Sequence, residues 1–320
     1  MTHAASCGFA SLQPMTRPFP CLFLSLLLLC QSVLAQGSGA YSLRFKLSKR
    51  HFADTIAIEY DDGRVFVPVR VGGTVRRFLL DTGAAQAIVY DDTDLARSPR
   101  LGTISSIDAL GTQASVPVVA LPPLTLGQLT LTGLHATVHQ RPPMRQKIEG
   151  IVGFDLVCKG LLMKIDTRQR LLVLTDRKKH FRRESPGHEC RYQVLPYRHT
   201  PYVSVQPFRG YTEQVLFDTG SPFLYLINHH SFAQALDSCL AQNPAQIADT
   251  VAGSFVRGLH GRERQAPVVR LQLDSLVFAG HALRHVPART TQGLSHLGGP
   301  LLGHGAVIFM PRRRLRFIPF

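Results

Sequence analysis

The chain has 320 residues, 45% of them hydrophobic and 18% charged, which excludes a disordered polypeptide and leaves room for one two-lobed domain or two small ones. It has no Trp, which weighs against a carbohydrate-stacking surface. The net charge of +15 gathers at Arg177-Lys178-Lys179 with Arg182-Arg183, and at Arg312-Arg313-Arg314 with Arg316. These runs read as a linker and a turn, not as a reading helix, so no nucleic acid is expected as a partner. Solvated loops and adhesion to an anionic envelope surface both stay open for them.

At the start, Arg17 precedes the apolar run Leu22 to Leu29, and Val33-Leu34-Ala35 supplies a cleavage-like site before Gln36. That pattern predicts a signal peptide over 1–35 and an exported, periplasmic or secreted protein. The run is too short for a comfortable membrane span, so no integral span is expected in the mature chain. An uncleaved anchor or a lipid on Cys30 is the alternative. Cys158, Cys190 and Cys239 remain after the leader, an odd number without metal-like spacing. A single disulfide and free thiols are both open, and no metal is expected.

Residues 36–50 lack a pattern and read as a loose lead-in. From Thr55 the period becomes two: Ile56, Ile58 and Tyr60, a turn at Asp61-Asp62-Gly63, then Val65, Val67, Val69 and Val71. Gly72-Gly73 is a hairpin turn, and Val75 to Leu80 returns as a strand. Ala87 to Tyr90 is a buried strand, and Asp91 to Ala96 a short helical turn. Residues 98–118 are polar and alternating, with a tip at Leu110-Gly111-Thr112. Two hairpins follow, 124–131 and 161–174, with Ile151-Val152-Gly153 between them. The segment 176–193 is basic, contains Pro186-Gly187, and reads as a linker. Beyond it the plan repeats: strands over 202–205 and 212–217, a strand Phe223 to Ile227, a helix Ser231 to Leu236, a hairpin 268–278, then Leu301-Leu302-Gly303 and a final strand pair. This divides the chain into a lobe over 36–175, a linker over 176–193 and a lobe over 194–320.

The repeat centres on two short stretches. Phe78-Leu79-Leu80-Asp81-Thr82-Gly83-Ala84 returns 137 residues later as Val215-Leu216-Phe217-Asp218-Thr219-Gly220-Ser221. One Asp-Thr-Gly is a weak signal, but two in the same strand-to-turn setting are a strong one. Two carboxyls forced together cannot both ionise, so one stays an acid while the other serves as a base.

The pair resembles the aspartic proteases, and most of all the bacterial retropepsin-like family with two tandem lobes. The resemblance implies an all-β, bilobal acid-protease fold, in which two similar β-barrel-like lobes form an intramolecular pseudo-dimer. It implies an aspartic endopeptidase whose catalytic pair is Asp81 and Asp218, with Thr82 and Thr219 as braces between lobes and Gly83 and Gly220 as permissive backbone. No cofactor or metal is implied. The substrate would be a polypeptide in extended conformation under a flap formed by 98–118, with 253–264 as its positional counterpart. Ile151-Val152-Gly153 and Leu301-Leu302-Gly303 match the apolar-apolar-Gly element that threads beside each Asp loop. Ser221, where the first lobe has Ala84, is expected to place its hydroxyl on Asp218 and make it the more acidic member.

A catalytically inactive peptide-binding module on the same fold is the alternative function, and a two-carboxylate glycosidase is a more distant one. Asp155 and Asp166 read as structural. His229-His230, His281, His285, His296 and His304 lie in no HExxH or Ser-His-Asp setting and read as surface or loop histidines.

Overall fold

A computed structural model describes residues 43–195, 198–238, 246–252, 257–262 and 267–320. The leader over 1–35, Cys239 and part of the second flap-like segment lie outside the described residues.

Each lobe is built around a hairpin that ends in the Asp-Thr-Gly triplet. In the first, Arg64–Val71 pairs antiparallel with Thr74–Leu80, from Val71 opposite Thr74 to Val65 opposite Leu80. Gly72 and Gly73 turn the chain at φ +54° and +83°, the left-handed pair that two-residue hairpins use and that a Cβ resists. The period-two pattern sends Val65, Val67, Val69, Val71, Phe78 and Leu80 into the main core. Leu79 faces the other side and joins a small cluster with Phe66, Ala84, Ile88, Tyr90, Ile148 and Ile151. The second lobe repeats this with Pro201–Phe208 against Tyr211–Asp218.

A short strand runs parallel to each triplet strand, Gly150–Val152 beside Thr74–Leu80 and His296–Gly298 beside Tyr211–Asp218. Each also pairs antiparallel with the strand after the triplet, Ile88–Tyr90 or Tyr225–Asn228. This register corrects the sequence reading. The second-lobe counterpart of Ile151-Val152-Gly153 is His296-Leu297-Gly298, while Leu301-Leu302-Gly303 lies in the 3-10 turn Gly299–Gly303. The hydrogen bonds agree: Phe154 N–H donates to Ala84 O at 2.8 Å and Gly299 N–H to Ser221 O at 3.0 Å. His296 is therefore a buried strand residue, 4% exposed, and not a loop histidine.

The lobes share a six-stranded sheet. Its order is 188–191, 314–319, 305–310, 162–166, 171–175 and 53–57, and Met163 opposite Phe309 lies on the seam between lobes. The basic segment expected as a plain linker thus contributes an edge strand, His188–Arg191. Glu189 on that strand pairs with Arg316 at 2.7 Å and Arg314 at 3.2 Å. Those pairs are partly exposed, so they fix register more than they stabilise. Beneath the sheet, Phe309 meets Phe154 and Phe217 at ring distances of 5.0 and 5.9 Å, one from each lobe. One apolar core therefore crosses the lobe boundary. The lead-in is also tied down: Lys46–Leu47 pairs with Leu129–Thr132, and Phe45 is fully buried. Cys158 and Cys190 are both free thiols.

Candidate active site

The two triplets meet at the lobe boundary through four buried hydrogen bonds. Thr82 N–H donates to Thr219 Oγ1 at 3.0 Å, and Thr219 N–H to Thr82 Oγ1 at 3.1 Å. The hydroxyls then donate onward, Thr82 Oγ1 to Phe217 O at 2.5 Å and Thr219 Oγ1 to Leu80 O at 2.8 Å. Each threonine thus bonds both backbone neighbours of the other lobe's aspartate. Thr219 ties Leu80 and Thr82 around Asp81, and Thr82 ties Phe217 and Thr219 around Asp218. Both are essentially fully buried, so these polar groups have no water to replace the bonds.

The lattice brings Asp81 and Asp218 side to side. Their carboxyls hydrogen-bond each other. Asp81 Oδ1 accepts Gly83 N–H at 2.7 Å, and Asp218 Oδ1 accepts Gly220 N–H at 3.0 Å and Ser221 N–H at 3.2 Å. Glycine is required by space here. A Cβ on Gly83 would lie 2.6 Å from Asp218 Cγ, and one on Gly220 would lie 2.6 Å from Asp81 Cγ. Each carboxyl therefore rests on the opposite lobe's loop.

Burial pushes the Asp81 carboxyl well above the ordinary range, and the neighbouring Asp218 charge adds to the shift. Burial also raises Asp218, but its bonds from Asp81 and from the Gly220 and Ser221 N–H groups oppose the rise. The arrangement favours one proton held on Asp81 and a charge on Asp218.

The Ser221 hydroxyl expected on Asp218 is not there. That Oγ lies 2.9 Å from His296 Nε2, and only the backbone N–H of Ser221 is placed on the carboxylate. The side chain follows the imidazole because His296, buried in the adjacent strand, has to find a partner.

Burial pushes the Tyr90 hydroxyl well above its ordinary range, and the nearby Asp81 charge adds to the rise. The Arg141 guanidinium lies 4.7 Å above its ring and forks onto Asp92 at 2.7 and 2.8 Å. Neither residue carries a motif that would single it out in sequence. Asp166 caps a turn by accepting Gln169 N–H at 2.9 Å, which fits its reading as structural. Asp155 is buried with one carboxylate oxygen lacking a well-formed hydrogen bond. Among the described residues, no three metal-ligating side chains cluster as a metal would need, and no helix is long and apolar enough to cross a membrane.

Arg100–Ile107 and Gln113–Ala120 pair as a hairpin within the segment read as a flap. Its tip docks on the second lobe. Leu294 N–H donates to Ala109 O at 2.8 Å, and Asp108 Oδ2 accepts His260 N–H at 2.9 Å. Asp108 Oδ1 also holds the tip itself, accepting Leu110 N–H at 3.0 Å and Thr112 N–H at 2.9 Å. An Asp two residues before Leu110-Gly111 is a turn signal the sequence offered. Asp108→Ala is expected to raise the hydrogen-exchange rate of the Leu294 amide about tenfold, because the tip loses its template. An unchanged rate would mean the tip is held elsewhere.

Comparison with known proteins places this geometry. Residues 67–156, which include Asp81 and Gly153, match the sequence profile of the aspartyl protease family. No curated protein matches the chain. Among solved structures, the aspartic proteinase from Irpex lacteus aligns over 84% of this chain and 97% of that chain, with a TM-score of 0.53 at 14% identity. At that identity the likeness speaks for the fold. The chain is therefore an all-β, bilobal protein of the acid-protease fold, similar over 67–156 to the aspartyl protease profile.

Proposed function

We propose that the protein is an aspartic endopeptidase that hydrolyses peptide bonds by dyad-activated water. The supporting observation is the reciprocal threonine lattice, which sets two hydrogen-bonded carboxyls against each other's glycines. In this reading Asp218 is the base. It takes a proton from water as the water oxygen bonds to the peptide carbonyl carbon. Asp81 gives its proton to the carbonyl oxygen and steadies the tetrahedral centre. Asp218 then passes its proton to the amide nitrogen, a hydroxyl of the tetrahedral centre returns a proton to Asp81, and the C–N bond breaks to release an acid and an amine. An extended polypeptide under the hairpin Arg100–Ile107/Gln113–Ala120 is the substrate class this fits, through backbone hydrogen bonding. Export of the chain, for which the apolar leader is the support, belongs to the same proposal. So does adhesion of its basic runs to an anionic envelope.

The test is cleavage of an unfolded protein mixture across pH, with a statine-type inhibitor and Asp218→Asn as controls. Turnover by the unmodified protein is expected to stop with either control, with a loss of at least about a thousandfold in the variant. Cleavage indifferent to both would remove the assignment. Peptide binding without turnover, unchanged by Asp81→Asn, would favour an inactive binding module.

A further inference from the structure

The pseudo-twofold relation between lobes breaks at one buried pair beside the dyad. In the first lobe the positions are Ala84 and Ile151, both apolar and buried. The register puts Ile151 opposite Leu79, and in the second lobe His296 opposite Leu216. Ala84 and Ser221 correspond as the carbonyls that accept from Phe154 and Gly299. The second lobe thus replaces an apolar pair with Ser221 and His296, equally buried at 7% and 4% exposure.

The hydrogen bonds of this pair fix its protons. His296 Nδ1 lies 3.1 Å from Leu294 O, and a carbonyl can only accept. With the ring neutral, its hydrogen therefore sits on Nδ1, leaving Nε2 as a lone pair. Ser221 Oγ, 2.9 Å from Nε2, is then the donor. Its oxygen also accepts Phe223 N–H at 3.4 Å. The hydroxyl hydrogen is committed to the imidazole, although the N–H of the same residue touches Asp218 Oδ1.

We propose that His296 is a positioning residue that holds the Ser221 hydroxyl off the Asp218 carboxylate, so that the second-lobe acid is bonded by backbone N–H groups and by Asp81 but not by serine. This rests on the reading of Asp81 and Asp218 as the working pair. A hydroxyl bonded to Asp218 would favour its charged form and weaken it as a base. Other charged or titratable groups on the surrounding elements are Tyr211, Glu213, Tyr225, His281, Arg284, His285 and Arg289. Glu213 accepts from the Tyr225 and Ser295 hydroxyls, and Arg289 lies 3.9 Å above the Phe223 ring. All of them stay in place in the variants below.

The experiment is a titration of the two carboxyls by carbon NMR on the full chain labelled at aspartate. His296→Asn keeps an amide N–H toward Leu294 O and removes the Nε2 acceptor. His296→Gln instead offers an acceptor oxygen toward Ser221. Release of the hydroxyl in His296→Asn is expected to lower the more acidic dyad pKa by about one unit. His296→Gln is expected to titrate like the unmodified protein, and Ser221→Ala added to His296→Asn to abolish the shift. An unshifted His296→Asn titration would overturn the proposal. So would a shift that survives Ser221→Ala, because it would not run through the hydroxyl. If His296→Asn fails to fold, His296→Ile/Ser221→Ala, the pair the first lobe uses, is compared with His296→Ile alone under the same criteria. The readout needs no turnover. The expected shifts in a protein that cleaves nothing would support this proposal and sink the peptidase reading.

Discussion

Replacing Asp155 with Asn is expected to stabilise the protein by up to about 4 kcal/mol above pH 8, and hardly at all below pH 4. Asp155 is 1% exposed at the start of the short helix Asp155–Cys158. Its Oδ1 accepts Leu156 N–H at 3.1 Å, its Oδ2 lacks a well-formed hydrogen bond, and the Leu156 and Ala87 N–H groups offset only part of the burial. The adjoining void is about 10 Å³, lined by Val69, Ala87, Leu124, Ile151 and other apolar side chains, with Asp155 the one polar side chain. Such a space offers water too few partners to hydrate a carboxylate. Burial accordingly raises this carboxyl to about 7. In the unfolded chain it would titrate near about 3.9. Between those values the folded state holds a proton that the unfolded state has lost, so unfolding free energy falls as pH rises through the interval. Above both values the full cost of a buried charge is present. Asn keeps the acceptor oxygen and cannot ionise, so it escapes that cost. Urea unfolding of both proteins at pH 4, 6 and 8 measures the difference. Parallel stability curves would show that the carboxyl is hydrated or paired after all.

The parts that sequence made legible are those whose signal is local. Asp62-Gly63 and Gly72-Gly73 between alternating valines specify their hairpins, because turn chemistry and period two agree. The triplets stand out because each follows three apolar residues and is repeated. What escaped depended on partners far along the chain. Leu301-Leu302-Gly303 fits the apolar-apolar-Gly pattern and His296-Leu297-Gly298, five residues earlier, does not, because a histidine reads as solvent-facing. Its burial is made tolerable by Ser221, 75 residues away. The strand His188–Arg191 lacks an apolar period, since its pairing is with 314–317 and its exposed face is a charge ladder. Phe45 sits in a segment with only two strand residues, and its burial follows from the pairing of Lys46–Leu47 with the hairpin strand Leu129–Thr132. Seventy-five to 139 residues separate the partners of the threonine bonds and of the Ser221–His296 bond. Sequence could name those residues but could not aim their hydroxyls.

Thr219→Val is expected to cut kcat/KM by at least about a hundredfold and to destabilise the fold by about 2–6 kcal/mol. Valine keeps the shape and removes the hydroxyl. Two backbone groups then lose partners in a fully buried place, Thr82 N–H and Leu80 O. Each unsatisfied group costs about 1–3 kcal/mol, which sets the stability figure. The same two groups flank Asp81, so the loss loosens the loop that sets its angle to Asp218. A misplacement of about 1 Å at a reacting group is enough for a hundredfold loss. Thr82→Val is the mirror case, releasing Phe217 O and Thr219 N–H around Asp218. Because the two hydroxyls brace one interface, the double variant is expected to lose less stability than the two singles added together. Thr219→Ser keeps the hydroxyl and is expected to retain most of both properties. The measurements are urea unfolding and steady-state hydrolysis for the four variants beside the unmodified protein. Thr219→Ser as damaged as Thr219→Val would assign the effect to the lost methyl packing and not to the bonds across the lobes. Strict additivity in the double variant would mean that the two loops are held independently, and the lattice would then not be what keeps the carboxyls paired.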